Sequence, residues 1–326
     1  SMKILVTGAT GFIGSRVTRQ LLDAGHDRVR ILRREHSCLD LLGDTSDHVE
    51  HRVGDMTDPA SLLDAMQGVE VVFHTAAVVH LGSERGRRVT ATGARNVVDA
   101  AIRAGIGRLI HTSSIAALGR SDNLAQPGDE STQWEPDGLN TPYAVAKHEA
   151  ELEIFRGLAE GLDAVMVNPS VVFGPGRKSE NTSLICAAVQ ARRVFMYPAG
   201  SISVVDVDDV AAGHLLAWER GQTGERYILA GENLSWLKVL TTLAEAFQVP
   251  PPRWRIPPAT AIALGAAIEG WSALFRRSPV FSRVLARTNN RAWSVSNEKA
   301  VRELGCIFRP FGETAARIAA AFAENG

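Results

Sequence analysis

The stretch Lys3–Gly14, KILVTGATGFIG, decides how the rest of the chain is read. Lys3-Ile4-Leu5-Val6-Thr7 is a short apolar run with a β-branched end, which reads as a buried strand. Gly8, Gly11 and Gly14 follow at three-residue spacing. Ser15 to Ala24 then carries Val17, Leu21 and Leu22 as a helical stripe that stops at Gly25. Strand, glycine turn and helix in that order form a cradle for phosphate. Gly8 permits the tight turn, Gly11 lets backbone approach a pyrophosphate, and Gly14 lets the helix pack on the strand. The helix N-terminus then offers unpaired N–H groups and the positive end of its dipole to the anion.

Outward from that turn, short apolar strands alternate with helices. Strands are expected at Arg28–Arg33, Val49–Gly54, Val69–His74, Arg108–Ser113 and Ala164–Pro169. Asp58-Pro59 and Thr141-Pro142 each pair an N-cap with proline at the first helical position. They open a short helix and a long one running to about Glu160, and a further helix is expected from about Arg87 to Ala104. Arg120–Asn140 reads as loop. This alternation predicts an α/β fold, a doubly wound parallel sheet of six or seven strands with right-handed crossovers. Beyond Gly174 the pattern is less regular. A strand at Ile202–Val207, a helix to Arg220 and a strand at Arg226–Ala230 precede helices at Ser235–Phe247, Pro258–Phe275, Ser296–Leu304 and Phe311–Ala323. The division expected is a core over 1–174 with a return segment near 201–221. A smaller, mostly helical substrate region would then cover 175–200 and 222–326.

Composition narrows the function classes. The 326 residues are 45% hydrophobic and 22% charged with net charge −1, so no global field favours nucleic acid or an anionic membrane. Cys38, Cys186 and Cys306 are scattered, with neither a disulfide framework nor metal-ligand spacing, which points to a reducing compartment. The first strand starts at once, so no signal peptide is expected and the location expected is cytoplasmic. Ile256–Ile268 is too short to span a bilayer. Pro258–Phe275, followed by Arg276-Arg277, reads as a packed or pocket-lining helix in preference to a membrane-surface helix, because Glu269 and two glycines interrupt its apolar face. Asn181-Thr182-Ser183 is a glycosylation sequon expected to be idle.

Ligands of open α/β sheets bind beyond the carboxyl ends of the strands. Gly8, Arg33, Asp55, Thr75, Ser114 and Asn168-Pro169 all fall at such ends. An acidic residue after the second strand would suit the ribose of NAD. Arg33 and Arg34 stand there instead and suit the 2′-phosphate of NADP, although a solvated arginine pair is the plain alternative. Asp55 could accept from an adenine amino group or be an ordinary loop aspartate.

Tyr143 and Lys147 lie four apart on one face of an expected helix, in a chain with 3 tyrosines and five lysines. A free tyrosine has a pKa near ~10, and a nearby ammonium should lower it. Tyr143 could then pass a proton to or from a substrate oxygen, with Ser114 donating to the same oxygen. Lys147 could also hold the nicotinamide ribose.

Together these residues resemble the extended short-chain dehydrogenase/reductase superfamily. The blocks TGATGFIG, GDMTD, HTAA, HTSS, PYAVAK, NPSVVFGPG and VDVDDVAAGH match in order, to about Phe311. Within it the chain is most similar to the dihydroflavonol-4-reductase-like, 3β-hydroxysteroid dehydrogenase-like and hopanoid-associated sugar epimerase group; ENLSWLKVL and NEKAVRELG are closest to the last. The resemblance implies a Rossmann-type core binding NAD(P). Contacts are implied from Thr10, Phe12, Ile13, Met56, Thr75, Ala76 and Ala77 beside the glycines, and from Asn168, Pro169 and Ser170 lining the nicotinamide. It also implies a Ser114-Tyr143-Lys147 triad and a homodimer through the helices near 88–104 and 142–160. Three departures stand out. Thr90 occupies the place of the family's asparagine. The loop 78–87 is shortened and arginine-rich. No acidic pair follows Ser114, which argues against dehydration.

The expected activity is NADP-dependent reduction of a ketone or aldehyde on a small, apolar substrate. A nucleotide-sugar epimerase holding NAD and a non-catalytic NADP-sensing binder remain open. NADP(H) is the preferred cofactor, with NAD(H) as the other candidate; no metal, nucleic acid or stable membrane anchor is expected.

Overall fold

The computed structural model describes residues 2–78, 84–121, 125–178, 181–274 and 282–324. In chain order the core begins with β1 (Ile4–Thr7), α1 (Phe12–Asp23), β2 (Val29–Arg33), β3 (Glu50–Val53), α2 (Pro59–Ala65) and β4 (Val71–His74). It continues with α3 (Glu84–Ala104), β5 (Arg108–Thr112), α4 (Pro142–Ala159) and β6 (Ala164–Pro169). Then come β7 (Val171–Phe173), α5 (Asn181–Gln190), β8 (Met196–Tyr197), β9 (Ser201–Asp206), α6 (Val207–Arg220), β10 (Arg226–Leu229) and β11 (Glu232–Ser235). Last are α7 (Trp236–Ala246), β12 (Trp254–Arg255), α8 (Pro258–Leu274), α9 (Arg283–Asn289) and α10 (Phe311–Glu324).

Seven parallel strands form the central sheet in the order β10-β6-β5-β4-β1-β2-β3. The reversal of order beside β1 puts a crevice at the carboxyl ends of β1 and β4, where such sheets bind ligands. Both faces are covered, which is why the central strands are nearly continuous runs of apolar residues. Leu5, Val72, Leu109 and Met166 pack with α2, α3 and α4 through Leu62, Val97, Val98 and Ile154. Their neighbours Ile4, Val6, Phe73 and Ile110 face the opposite way, onto Val17 and Leu21 of α1 and Ala211 of α6.

The helix starts follow their caps. Asp58 accepts the Ala60 N–H at 3.0 Å, and Thr141 accepts the Ala144 N–H at 3.1 Å. Thr141 with Pro142 thus fixes where α4 begins, and with it the height of Tyr143 above the sheet.

One expectation changes. Arg226–Leu229, assigned to the substrate region from sequence, pairs in parallel with β6 and completes the core sheet. The C-terminal part is mostly helical, as expected, with short strands added. It has a three-stranded sheet, β11-β9-β7, covered by α5, α7 and α10 around Phe173, Val204, Leu240, Leu243, Phe311 and Phe322. These strands span three to six residues, and the shortest leave too little periodicity to read. The sequon lies in the first turn of α5, where Thr182 is buried and its hydroxyl donates to the Val172 carbonyl at 2.7 Å. Arg276 and Arg277 lie outside the described residues.

Asp206 ties the C-terminal helix to the core. Its fully buried carboxylate caps α6 through Asp208 N and accepts from Thr314 Oγ1 and Arg317 Nη1, both at 2.7 Å. Breaking a buried pair costs ~3–5 kcal/mol, less where the partner is partly solvated, as Arg317 is. Asp206→Ala should therefore lower unfolding free energy by about 2–4 kcal/mol, read as a fall in urea midpoint with m unchanged.

Candidate active site

The glycine turn has the geometry its spacing implies. Gly8 sits at φ +74°, and a Cβ there would lie 2.6 Å from Ala76 N. At Gly14 a Cβ would fall 2.2 Å from the Gly8 carbonyl oxygen and 2.5 Å from Thr75 Oγ1. Thr75 is itself fixed by donating both N–H and hydroxyl to the Thr7 carbonyl, so β1 and β4 are locked together there. Gly11 differs: a Cβ would meet only the Gly8 oxygen, at 3.2 Å, and otherwise open space. Gly11 is also the N-cap of α1, and no side chain caps that helix. The first-turn N–H groups, beginning with Phe12 and Ile13, are left for an anion. The Phe12 ring packs against Gly176, holding the turn after β7 over the cradle.

Beyond β2 and β3 the structure places the other expected contacts. Arg33 is half-buried and folded back. Its Nε donates to His51 Nδ1 at 3.0 Å and its Nη1 to the carbonyls of Arg34 and Glu35. Arg34 is exposed, with its backbone N–H on Ser37 Oγ. Asp55 closes a small turn by accepting from Thr57 N and Thr57 Oγ1 at 2.8 and 2.7 Å. Met56 packs into the space left by Gly93 of α3, and its carbonyl accepts from Asn96 Nδ2. Arg177, missed in the sequence, crosses the mouth of the cradle. It donates to the Thr10 and Cys38 carbonyls and pairs with Asp40, whose carboxyl its hydrogen bond pulls down to about 2.

The catalytic candidates converge above β5 and β6. Ser114 caps the short helical turn Ile115–Ala117, and its hydroxyl is hydrogen-bonded to Tyr143. Burial raises the Tyr143 phenol above its ordinary range, and the Ser114 hydrogen bond only partly opposes this. The expected lowering by Lys147 is thus reversed in sign. The Lys147 ammonium is buried and donates to the Thr112 carbonyl at 2.8 Å. Desolvation pushes it down to about 8, with Glu151 opposing.

One residue here escaped the sequence reading. Glu151, four beyond Lys147, is 1% exposed and accepts from Asn168 Nδ2 at 2.6 Å and from Arg226 at 3.3 Å. Asn168 also donates to the Ser114 carbonyl at 3.0 Å, so both amide hydrogens are used and its Oδ1 is left without a partner. Ser113 Oγ and Ser170 Oγ are likewise buried and unpaired, while Pro169 ends β6 opposite Leu229. Thr90, which stands where the family has asparagine, accepts the Val78 N–H on its hydroxyl at 3.1 Å and so holds the chain just after Ala76-Ala77. Residues 79–83 of the shortened loop lie outside the described residues.

An uncapped helix N-terminus, an open Gly11 and unpaired buried polar atoms at the ends of β5 and β6 are what a dinucleotide lying across the crevice requires. Fold and site together define a dinucleotide-dependent enzyme of the doubly wound class. The chain belongs to the NAD dependent epimerase/dehydratase family, which it matches over residues 4–230, and is an NAD(P)-dependent enzyme of the extended short-chain dehydrogenase/reductase type. It is 36% identical over 308 residues to a Synechocystis protein that carries the name dihydroflavonol 4-reductase, covering 92% of this chain and 88% of that one. It is 32% identical over 334 residues to sterol demethylase protein B of Methylococcus capsulatus, covering 100% and 99%. A nucleoside-diphosphate-sugar epimerase from Pseudomonas aeruginosa superposes with a TM-score of 0.82 at 26% identity, covering 100% and 98%. Among the described residues no group of His, Cys, Asp and Glu is arranged to hold a metal.

The glycines make separable predictions. Gly14→Val should destabilise the fold by about 2–3 kcal/mol or more, the scale of overpacking against backbone, seen in denaturant unfolding. Gly11→Val should leave the unfolding midpoint nearly unchanged. It should weaken nicotinamide-dinucleotide binding at least about tenfold in a fluorescence titration, because its side chain would enter the anion cradle.

Proposed function

We propose that this chain is an NADP(H)-dependent reductase of a ketone or aldehyde on a small, apolar substrate, with Ser114, Tyr143 and Lys147 as its reactive groups. The observation that carries this is the Tyr143 phenol. It is bonded to Ser114 and held above its ordinary pKa, so at neutral pH it is a proton donor. A carbonyl that gains hydride becomes an alkoxide and needs that proton. The name of the Synechocystis relative, a reductase, and that of the Methylococcus relative, which refers to a sterol, agree with carbonyl reduction on an apolar substrate.

The bound dinucleotide supplies hydride. Gly8, Gly11, Gly14 and the N-terminus of α1 would hold its pyrophosphate, Arg33 and Arg34 its 2′-phosphate, and Asn168, Pro169 and Ser170 its nicotinamide end. Ser114 Oγ and the Tyr143 hydroxyl donate to the substrate oxygen, and Tyr143 gives up its proton as negative charge develops there. Lys147 lends a positive charge beneath that oxygen and reaches the ribose side. Glu151 keeps Lys147 protonated at neutral pH against its desolvation.

An epimerase reading is supported by the Pseudomonas structure and by the pose of Arg33, whose guanidinium is engaged with His51 and two carbonyls. An epimerase returns its hydride and shows no net cofactor turnover. Stoichiometric NADPH oxidation by a carbonyl panel separates the two. Replacing Arg33 and Arg34 with Ala should remove ~1.5–3 kcal/mol of NADP-over-NAD preference, the scale of a hydrogen bond to a charged group.

Tyr143→Phe should lower single-turnover NADPH oxidation by ~10²-fold or more while cofactor binding stays intact. Turnover at the parent rate would overturn the mechanism. The pH profile follows from Lys147. Its ammonium persists below about 8 and is lost above it, whereas Tyr143 keeps its proton past its ordinary range. Reductive kcat/KM should therefore be flat from pH 6 to about 7.5 and fall above about 8. A first loss only beyond pH 10 would assign the limb to Tyr143 instead.

A further inference from the structure

In the C-terminal part, β8 and β12 pair in parallel as a two-stranded ribbon, with Trp254 opposite Met196 and Arg255 opposite Tyr197. Successive side chains of a strand point to opposite faces. A strand lying on a protein body therefore hides every second residue. Here Arg253, Trp254 and Arg255 are all exposed, and so are the consecutive Phe195 and Met196. Phe195 is 68% exposed, Trp254 67% and Met196 52%, so this part of the ribbon stands clear on both faces. Its turns carry two further exposed arginines, Arg192 and Arg193. None of these four guanidinium groups has an ion-pair partner among the described residues. The two segments that meet in the ribbon, 184–200 and 246–268, contain no Asp or Glu.

Three residues past the ribbon, α8 begins. It presents Ala263, Leu264, Ala267 and Trp271 to solvent at helical spacing, while Ala261 and Gly265 face inward. The sequence expectation of a packed helix holds only for that narrow inner face.

We propose that the β8–β12 ribbon is a peripheral docking surface for an anionic lipid bilayer. Tryptophan and phenylalanine favour the interfacial layer, and clustered arginines favour negative headgroups. The charges select this occupant. A second copy seated on the same face would set arginine against arginine, and a neutral apolar partner would leave four cations without counter-charge. No described helix is long and apolar enough to cross a membrane, so contact is by the ribbon's side chains and is reversible. This inference does not rest on the reductase reading.

Sedimentation with vesicles tests it on the whole chain, without substrate or cofactor. At 50 mM salt the protein should pellet with phosphatidylcholine vesicles containing 30% phosphatidylglycerol. It should stay in solution with phosphatidylcholine alone, and release at 500 mM salt. Each arginine near such a surface is worth about fivefold in partition. Replacing Arg192, Arg193, Arg253 and Arg255 together with Gln should therefore weaken binding more than about a hundredfold. The pair Phe195→Ser and Trp254→Ser should weaken it about tenfold or more, with unchanged thermal midpoint because both side chains are solvent-exposed. Failure of the parent to pellet with anionic vesicles at low salt would overturn the proposal. So would equal binding to neutral vesicles, an arginine variant that pellets like the parent, or a preference for polyglutamate over anionic vesicles, which would mark an acidic protein as partner.

Discussion

The molecule is built on one close approach. At Gly14 the first helix comes so near the end of β1 that a single methyl group would overlap the Gly8 carbonyl and the Thr75 hydroxyl. That contact does three jobs at once. It seats α1 on the sheet, where Val17 and Leu21 complete the core under Ile4, Val6 and Phe73. It fixes β1 against β4, because Thr75 is bonded twice to Thr7 across the contact. It also aims the uncapped N-terminus of α1 across the crevice at the strand ends. The packing of α1 and the aim of its N-terminus are therefore the same constraint, which is why the spacing Gly8-Gly11-Gly14 was readable in the sequence.

The second organising feature is a buried positive charge. Lys147 has a backbone carbonyl as its direct partner, and burial alone would drive its proton off. The surroundings limit this in two ways. Glu151 stands one turn further along the helix, and Asn168 and Arg226 in turn hold its carboxylate. The three buried histidines nearby, His74, His111 and His214, are all kept neutral. Burial pushes His74 down to about 3 and His214 to about 4, with Lys147 adding to the effect, and His111 is driven well below its usual range. Each contributes polarity without a competing charge. Thr7 holds His74, while Thr112 and Val210 hold His214. Lys147 is thus a buried cation held between the Thr112 carbonyl and the charge of Glu151.

How much of this was legible depended on whether a feature is local or assembled. The glycine turn, both Pro-started helices and the Tyr143–Lys147 spacing each lie within a dozen residues, and the structure has them as read. Glu151 was equally local, at the next step of the same helix face, but nothing in sequence separates a buried acid there from a solvated one. Asn168 resolves it from β6, and Arg226 from a strand assigned to the wrong region. Arg226–Leu229 looked peripheral because it follows the excursion through β7, α5, β8 and β9. Only pairing with β6 shows that α6 is the last crossover of the core. Arg177 was invisible for the same reason, since its partners Thr10, Cys38 and Asp40 are more than a hundred residues away.

The Tyr143 phenol is where the sequence argument and the structure part in sign, and the difference bears on the direction of chemistry. From spacing alone, an ammonium four residues away should lower a tyrosine's pKa, which suits proton removal from an alcohol. In the folded chain Lys147 donates to Thr112 beneath the strand end, and desolvation dominates at Tyr143. A tyrosine that keeps its proton is an acid in waiting. It transfers that proton only when a stronger base, an alkoxide being formed, is presented to it. In the proposed mechanism Ser114, held by Asn168 through its own carbonyl, would set where that oxygen lies. A phenol that keeps its proton suits the reductive direction proposed above. In the proposed mechanism, oxidation of an alcohol at the same site would need the phenol to give up its proton first, which burial at Tyr143 opposes.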